Sequence, residues 1–246
     1  MSDAAAVAVG RANVRAVDLA TAADEVVDMA ANGQSALVVT PNIQHVSLLE
    51  HDAAFAAAYD STVYQYADGW PVVWASSLLG KRPMSRVTGY ELLPESLQRA
   101  AASGVPTAFV GGRPGTDVAA RALGSVYPGL PVVHAEAEVY DVGDVAGLVE
   151  RLRSAGARLV VLGLGPPKQE LIGQRLVAAG CGVVLCIGSA LEVVAGTNRR
   201  APVPLQRLRI EWLYRIAREP RRLFGRYART FPHFLSICWR QWRARR

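Results

Sequence analysis

Three polar segments carry the side chains best suited to bind or convert a ligand. Asp68 offers a carboxylate that can accept a proton as a general base. Thr40 and Asn42 flank a proline and offer a hydroxyl and an amide that can hold a neutral polar group. Residues 163–170, Gly-Leu-Gly-Pro-Pro-Lys-Gln-Glu, form a glycine-rich turn into a predicted helix, whose free N–H groups can bind a phosphate or a sugar hydroxyl.

Each of these segments also has a plainer interpretation. Asp68 and Gly69 are typical of an ordinary turn, and the segment from Thr40 to Asn42 could simply cap the next helix. Residues 163–167 could be a tight strand-to-helix turn with proline near the first helical position. The chain contains neither GxGxxG nor GxxxxGK followed by Ser or Thr, so the usual dinucleotide and P-loop sites are not indicated.

The elements that must position these segments alternate between strands and helices. Short apolar runs end in turn residues, as buried strands do, and helical stretches separate them. The predicted strands are 36–39, 62–66, 107–110, 130–133, 159–162 and 183–187. The predicted helices are 22–32, 43–59, 70–79, 89–103, 116–126, 144–155, 168–179 and 189–195. This order predicts an α/β fold, a Rossmann-like and mostly parallel sheet with helices on both faces.

In such a sheet, ligands bind beyond the carboxyl ends of the strands. The polar segments follow predicted strands, so one rim of the sheet should hold an acid, a hydroxyl, amides and glycine-rich helix starts. The residues expected there are Thr40, Asn42, Gln44, Asp68, Gly69, Gly111, Gly112, Gly163, Gly165, Lys168, Gln169, Glu170, Gly188 and Ser189. Gln169 and Glu170 should lie in the first turn of their helix, where a carboxylate near the rim could bind the hydroxyls of a ribose or hexose.

The charge of the chain is divided between two parts. Residues 199–246 contain fourteen arginines against two glutamates, a formal charge of +12, whereas residues 1–198 carry −6. We therefore predict an α/β body over residues 1–198 and a basic, helical C-terminal appendage over residues 199–246. An arginine excess of this size, interleaved with aromatic side chains, indicates an anionic partner such as phosphate, nucleic acid or lipid headgroups. A solvated surface helix is the plainer alternative.

Composition narrows the class of protein further. The three cysteines form neither a disulfide framework nor a CxxC pair, and the four histidines have no metal-ligand spacing, which fits a reducing, cytosolic setting. No window holds eighteen uninterrupted apolar residues, so no membrane-spanning helix is predicted. The Ala- and Val-rich N-terminus lacks the basic start and the cleavage site of a signal peptide, and we expect a short frayed lead there.

Several motifs resemble the WecG/TagA/CpsF family of bacterial glycosyltransferases, and they occur in order over nearly the whole body. The matching motifs are Val-Thr-Pro-Asn at 39–42, Ala-Asp-Gly at 67–69, Arg-Val-Thr-Gly-Tyr-Glu-Leu at 86–92, the 163–170 segment, Ala-Gly at 195–196, Arg-Arg-Ala-Pro at 199–202, Glu-Trp-Leu-Tyr-Arg at 211–215 and Arg-Glu-Pro-Arg-Arg at 218–222. The family pattern has Asp where Glu91 stands and Phe-Asp where Leu191 and Glu192 stand. These departures leave the identity of the transferred sugar open.

The resemblance implies an activity and its substrates. A hexose or N-acetylhexosamine, of the N-acetylmannosamine type or glucose, would pass from a UDP-sugar to a polyprenyl-diphosphate-linked saccharide. Such transfer builds cell-wall, capsule or exopolysaccharide polymers. By the same resemblance the reaction inverts the anomeric centre and needs no metal ion or other cofactor.

The resemblance also assigns site residues. Asp68 aligns with the catalytic carboxylate, and Thr40 aligns with the active-site threonine. The diphosphate would be held by Arg86 and by Arg218, Arg221 and Arg222 of the appendage. The other nucleotide-sugar contacts are expected from Asn42, Gln44, Gly111, Gly163, Gly165, Lys168, Gln169, Glu170 and Gly188.

The residue pattern of the appendage predicts the cellular location of the protein. Basic residues alternate with Phe and Trp between 223 and 246, a pattern that suits a helix lying on an anionic membrane surface. We expect a peripheral protein, partly cytoplasmic, at the cytoplasmic face of the plasma membrane, with an appendage that completes the active site there. Packing of these aromatic side chains on the body, or on a second subunit in a homo-oligomer, stays open.

Two functions of other classes also stay open on the residues alone. A nucleic-acid-binding protein is supported only by the arginine-rich appendage, and because no recognised motif accompanies it we expect no nucleic-acid partner. An NAD-type oxidoreductase on the same sheet is disfavoured by the missing GxGxxG and by the lack of the acid that follows such a motif.

Overall fold

A parallel six-stranded sheet forms the centre of the computed structural model, which describes residues 6–138, 140–208, 211–218 and 220–244. Its strands are β3 (Ala36–Val39), β4 (Thr62–Gln65), β5 (Thr107–Gly111), β6 (Val132–Glu136), β7 (Leu159–Gly163) and β8 (Val183–Cys186). They lie in the order β4-β3-β8-β7-β5-β6, and every neighbouring pair is parallel. The predicted α/β fold with a parallel sheet is confirmed.

Helices cover both faces of this sheet. They are α1 (Leu19–Ala31), α2 (Ile43–Leu48), α3 (Ala53–Asp60), α4 (Trp70–Gly80), α5 (Gly89–Ala102), α6 (Thr116–Val126), α7 (Ala146–Ser154), α8 (Lys168–Ala178), α9 (Ala190–Val194), α10 (Val203–Arg207), α11 (Glu211–Arg218) and α12 (Pro220–Ala244). Successive strand residues point to opposite faces, so Leu37 and Val39 pack in the core with α2, α3 and α8, while Val38 packs with α1 and α5. Burial on both faces explains why each central strand is a continuous apolar run.

Every predicted strand and helix is observed, and most boundaries agree within two residues. α1 begins at Leu19, three residues before its predicted start, and two other elements also differ from their predicted bounds. The single helix predicted for 43–59 is two helices, because the Asp52 carboxylate accepts the backbone N–H of Phe55 at 2.9 Å and begins α3. The strand predicted for 130–133 is β6, which begins at Val132. Gly129 turns the chain just before it with φ of +93°, a conformation that glycine adopts readily.

Residues 6–15 form a hairpin that the sequence did not predict, and the part of the expected short frayed lead at residues 1–5 lies outside the described residues. β1 (Ala6–Val9) and β2 (Ala12–Arg15) pair in antiparallel register across a turn at Gly10. Val9 and Val14 are fully buried in the core on the α2 side of the sheet. Burial of alternate side chains, rather than hydrophobicity of the whole run, stabilises this hairpin.

The C-terminal helix α12 packs one face on the body. Phe234 and Ile237 lie in the same apolar core as the sheet. Gln241 bonds to the hairpin twice: its Oε1 accepts the N–H of Gly10 at 2.9 Å, and its Nε2 donates to the carbonyl of Ala8 at 2.9 Å. Packing on the body, which the sequence left open, is therefore observed for this face of the helix.

A second stripe of α12 is exposed. Its large apolar side chains, spaced seven and four residues apart, are Phe224, Phe231, Leu235 and Trp239. Pro220 begins the helix, because proline fits the first helical position. Within the described part of the chain, no helix combines the length and the apolar character needed to cross a membrane.

Candidate active site

Thr40 and Asp68 follow neighbouring strands. Thr40 comes directly after β3 and is buried, whereas Asp68 follows β4 and is half-buried. The backbone N–H of Asp68 donates to the carbonyl of Pro41 at 2.9 Å, which fixes the two segments side by side. The structure thus brings together, on adjacent backbone segments, the two residues that the resemblance assigns to catalysis.

The turn before α4 positions Asp68. Gly69 has φ of +89°, a left-handed conformation that other residues rarely adopt, and the helix begins at the next residue. The predicted turn is therefore observed, and it holds the carboxylate at the strand end. Tyr59 lies close enough to Asp68 to interact with it electrostatically. Burial raises the pKa of the Tyr59 phenol well above its usual value, and nearby acidic groups, which include Glu170 and Asp68, raise this pKa further.

Asn42 begins α2 as its N-cap. Its Oδ1 accepts the backbone N–H of Gln44 at 2.9 Å, and its own N–H donates to Nδ1 of His45 at 3.2 Å. The capping interpretation of this segment is confirmed for Asn42, and Gln44 is half-buried in the first turn. His45 was not predicted from the sequence, although its spacing of three residues from the N-cap is a signal of this capping contact.

A buried chain of hydrogen bonds joins the ends of β3, β7 and β8. Nε2 of His45 lies 3.1 Å from Oε1 of Glu170, and the amide of Gln169 donates to the same oxygen at 2.8 Å. Oε1 of Gln169 accepts the N–H of Gly188 at 2.9 Å. Because Nδ1 of His45 accepts a hydrogen bond, Nε2 carries the proton that points to Glu170. The chain fixes the relative positions of three strand ends.

The side chain of Glu170 points inward, which differs from the expectation that it faces sugar hydroxyls at the rim. The helix position is as predicted, since α8 begins at Lys168, which is half-buried. Glu170, however, is 0% exposed, because His45 and Gln169 bind its carboxylate from the protein side. Among the described residues, its second oxygen, Oε2, has no hydrogen-bond partner.

The glycines at the rim have two different roles. A Cβ added to Gly163 would lie 2.7 Å from Leu191, and one added to Gly111 would be equally close to Leu164 at 2.7 Å, so both positions need glycine for close packing. Gly165 is exposed, and an added Cβ there would meet no heavy atom within 4 Å. The space beside Gly165, at the start of α8, is therefore open to an approaching ligand.

Arg86 belongs to a group of four charged side chains. Its Nη2 lies 2.8 Å from Oε1 of Glu91, and its Nη1 lies 3.6 Å from Oε1 of Glu211. Arg200 contacts the same two oxygens at 3.3 Å and 3.2 Å. We call these four residues, Arg86, Glu91, Arg200 and Glu211, the ion cluster. It connects the start of α5 to the appendage.

The arginines expected to reach the diphosphate from the appendage lie on α11 and α12. Arg218 is exposed and donates to the hydroxyl of Tyr214 at 3.3 Å, and Arg221 is exposed as well. The side chain of Arg222 lies outside the described part of the structure. Contact of these three residues with a diphosphate stays a prediction.

A polar cavity of about 260 Å³ lies apart from this rim, against the hairpin and the edge strand β4. Its lining residues are Ala6, Arg11, Asn13, Arg15, Tyr59, Asp60, Thr62, Val63 and Gln65. Neither Thr40 nor Asp68 borders it, so the strand ends remain the better candidate site. In the ranges that the structure describes, no three His, Cys, Asp or Glu side chains are grouped where they could hold a metal ion.

Comparison with known protein families identifies the family of the chain. The model of the glycosyl transferase WecG/TagA/CpsF family matches residues 7–246, nearly the whole chain, and the chain belongs to this family. It is therefore a glycosyltransferase of cell-wall and polysaccharide synthesis, with a sugar donor and an acceptor as its substrates. The finding favours the transferase interpretation over the oxidoreductase and nucleic-acid-binding alternatives.

Proposed function

We propose that this glycosyltransferase moves a hexose or N-acetylhexosamine, of the N-acetylmannosamine type or glucose, from a UDP-sugar to a polyprenyl-diphosphate-linked saccharide. Family membership supports transfer of a sugar in polysaccharide synthesis. The donor and the acceptor both carry a diphosphate, and the formal charge of +12 on residues 199–246 supports binding of such anions.

Asp68 acts as the general base in a single inverting displacement. The acceptor hydroxyl oxygen bonds to the anomeric carbon while the bond from that carbon to the diphosphate oxygen breaks, and Asp68 takes the hydroxyl proton. UDP leaves with the bonding electrons. The observation that carries this assignment is the position of Asp68 at the end of β4, half-buried and hydrogen-bonded through its N–H to Pro41, next to Thr40.

The donor lies across the strand ends. Its uracil and ribose lie along residues 163–170. The open space at Gly165 supports close approach of the nucleotide there. Gln169 and Glu170 support the donor site without contacting the donor, because their hydrogen bonds fix the start of α8 against His45. The residues that border the transferred sugar and the nucleotide are Thr40, Asn42, Gln44, Gly111, Gly163, Lys168 and Gly188.

Fixed cations stabilise the departing diphosphate. Negative charge grows on this group in the transition state, and guanidinium groups can bind its oxygens two at a time while staying charged. Arg86 supplies this charge from the body, and Arg218, Arg221 and Arg222 supply it from the appendage. The appendage thereby completes the active site.

The exposed stripe of α12 supports binding to a membrane surface. Phe224, Phe231, Leu235 and Trp239 are exposed beside the arginines of the same helix. Each basic residue close to an anionic bilayer contributes about 1 kcal/mol of binding free energy. Peripheral binding at the cytoplasmic face of the plasma membrane brings the active site to its lipid-linked acceptor.

A donor panel tests this function. The full chain is incubated with UDP-glucose, UDP-N-acetylmannosamine or its uronic acid, with and without a short polyprenyl-diphosphate glycolipid, and UDP release is measured. We expect acceptor-dependent release with one donor, unchanged by EDTA. Absence of release with every donor, or loss of release in EDTA, would contradict the proposal.

A further inference from the structure

One oxygen of Glu211 lies between two guanidinium groups. Oε1 of Glu211 is 3.2 Å from Nη2 of Arg200 and 3.6 Å from Nη1 of Arg86. Two guanidinium groups that share one anionic oxygen are an arrangement that also suits a phosphate oxygen, since Arg recognises carboxylate and phosphate with the same fork of donors. The carboxylate of Glu211 therefore occupies a position where a phosphate oxygen could bind.

Aromatic rings hold both guanidinium groups in place. The guanidinium of Arg86 lies 5.5 Å from the ring centre of Trp70, and that of Arg200 lies 5.1 Å from the ring centre of Tyr90. Both arginines are mostly buried, with side chains 17% and 22% exposed. Among the described residues, the buried Nε of Arg200 has no hydrogen-bond partner, so this guanidinium has donor capacity that the ion cluster does not use.

The two carboxylates of the ion cluster are not held equally. Glu91 lies on α5 and is held twice, because Arg86 contacts its Oε1 at 2.8 Å and the hydroxyl of Thr88 donates to its Oε2 at 2.9 Å. Arg200 lies about equally close to both carboxylates, at 3.3 Å from Glu91 and 3.2 Å from Glu211, but Arg86 is 3.6 Å from Glu211, and both contacts of Glu211 use the same oxygen. Glu211 is therefore the carboxylate that an incoming anion displaces more easily.

We infer that Arg86 and Arg200 form a binding site for the donor diphosphate, and that Glu211 fills this site when no donor is bound. This inference rests on the proposed function and adds Arg200 to the residues that bind the donor. Displacement of Glu211 releases the start of α11 from the body, which couples donor binding to the position of the appendage.

Titration calorimetry with inorganic pyrophosphate on the full chain tests this site. Glu211→Gln removes the competing charge, so we expect pyrophosphate to bind about fivefold more tightly than to the wild type. Arg200→Gln removes a guanidinium from the site and should weaken binding. In the double variant the gain from Glu211→Gln should vanish, because the competition acts through Arg200.

Glu95→Gln is the matched control, since it removes one negative charge from α5 at a residue that pairs with Arg99, outside the ion cluster. It should leave pyrophosphate affinity unchanged. Weaker or unchanged binding in Glu211→Gln, or an equal gain in Glu95→Gln, would overturn the inference. If Glu211→Gln does not fold, Glu211→Asp, which shortens the side chain, must tighten binding in the same direction.

A parallel titration with UDP separates this inference from the proposed function. If pyrophosphate follows the expected pattern and UDP does not bind, the anion site is supported and the proposed donor is wrong. If UDP binds and the Arg200→Gln variant binds UDP and pyrophosphate as the wild type does, the proposed donor is supported and the anion site is wrong.

Discussion

Nε2 of His45 lies 3.1 Å from Oε1 of Glu170, and this buried pair joins the segment after β3 to the first turn of α8. His45 is 4% exposed and Glu170 is 0% exposed, so neither group has water as an alternative partner. A polar pair so deeply buried is costly to break, since the remaining partner cannot be solvated. The pair therefore fixes the strand ends that carry the proposed site.

Breaking this pair should destabilise the fold. His45→Ala leaves the Glu170 carboxylate buried without its main partner, and we expect the free energy of unfolding to fall by about 3 kcal/mol. Glu170→Gln keeps an oxygen that accepts from both His45 and Gln169, so the free energy of unfolding should fall by less in this variant. Urea denaturation of the three proteins measures both effects. A His45→Ala variant as stable as the wild type would contradict the role of the pair.

Two glycines of the same turn should respond differently to alanine. Gly163→Ala places a methyl group 2.7 Å from Leu191, which should lower the free energy of unfolding by about 2 kcal/mol through overpacking. Gly165→Ala meets no heavy atom within 4 Å and should leave stability nearly unchanged. Thermal unfolding compares the two variants. Equal stability would mean that close packing does not explain the glycine at 163.

The exposed stripe of α12 should bind anionic vesicles. Phe224→Ser with Trp239→Ser removes two exposed apolar groups, and we expect affinity for phosphatidylglycerol vesicles to fall by about tenfold or more in sedimentation assays. The control is Val118→Ser with Val126→Ser, which removes two side chains of α6 that are 68% and 66% exposed. Equal losses in both double variants would argue against a specific membrane face.

The cysteines should react slowly with alkylating reagents in the folded protein. Burial raises the pKa of the Cys238 thiol to about 11, and burial also raises the pKa of Cys181 and Cys186. A raised pKa lowers the fraction of thiolate, the reactive form, at pH 8. Iodoacetamide labelling followed by mass spectrometry should be much faster after unfolding in urea. Rapid labelling of native Cys186 would contradict its burial beside Glu170.

Local patterns predicted the sheet because its strands are buried on both faces. Segments such as Ala36–Val39 and Leu159–Gly163 are apolar throughout and end in turn residues, which is a signal that a single sequence contains. The hairpin at 6–15 lacks this signal, because only alternate residues such as Val9 and Val14 are buried. Its stability comes from packing on distant elements, which a local pattern does not record.

The site was predictable only in its local parts. Asn42 could be recognised as a helix cap, and Asp68 and Gly69 as a turn after a strand, because neighbouring residues determine both. The pairing of Glu211 with Arg200 and Arg86 depends on how the appendage returns to α5, and no spacing in the sequence encodes that return. The inward orientation of Glu170 likewise follows from His45, which lies 125 positions earlier in the chain.

Sugar transfer by Asp68→Asn tests the central claim most directly. Asn has nearly the shape of Asp but cannot take the acceptor proton, so we expect turnover with the active donor and acceptor to fall by about 100-fold or more. Donor binding should change little. Asp60→Asn, which makes the same change at an exposed carboxylate on α3, is the control that should keep full activity. Loss of turnover in Asp68→Asn alone, with donor binding retained, is the predicted result. Full transfer by Asp68→Asn would contradict Asp68 as the general base.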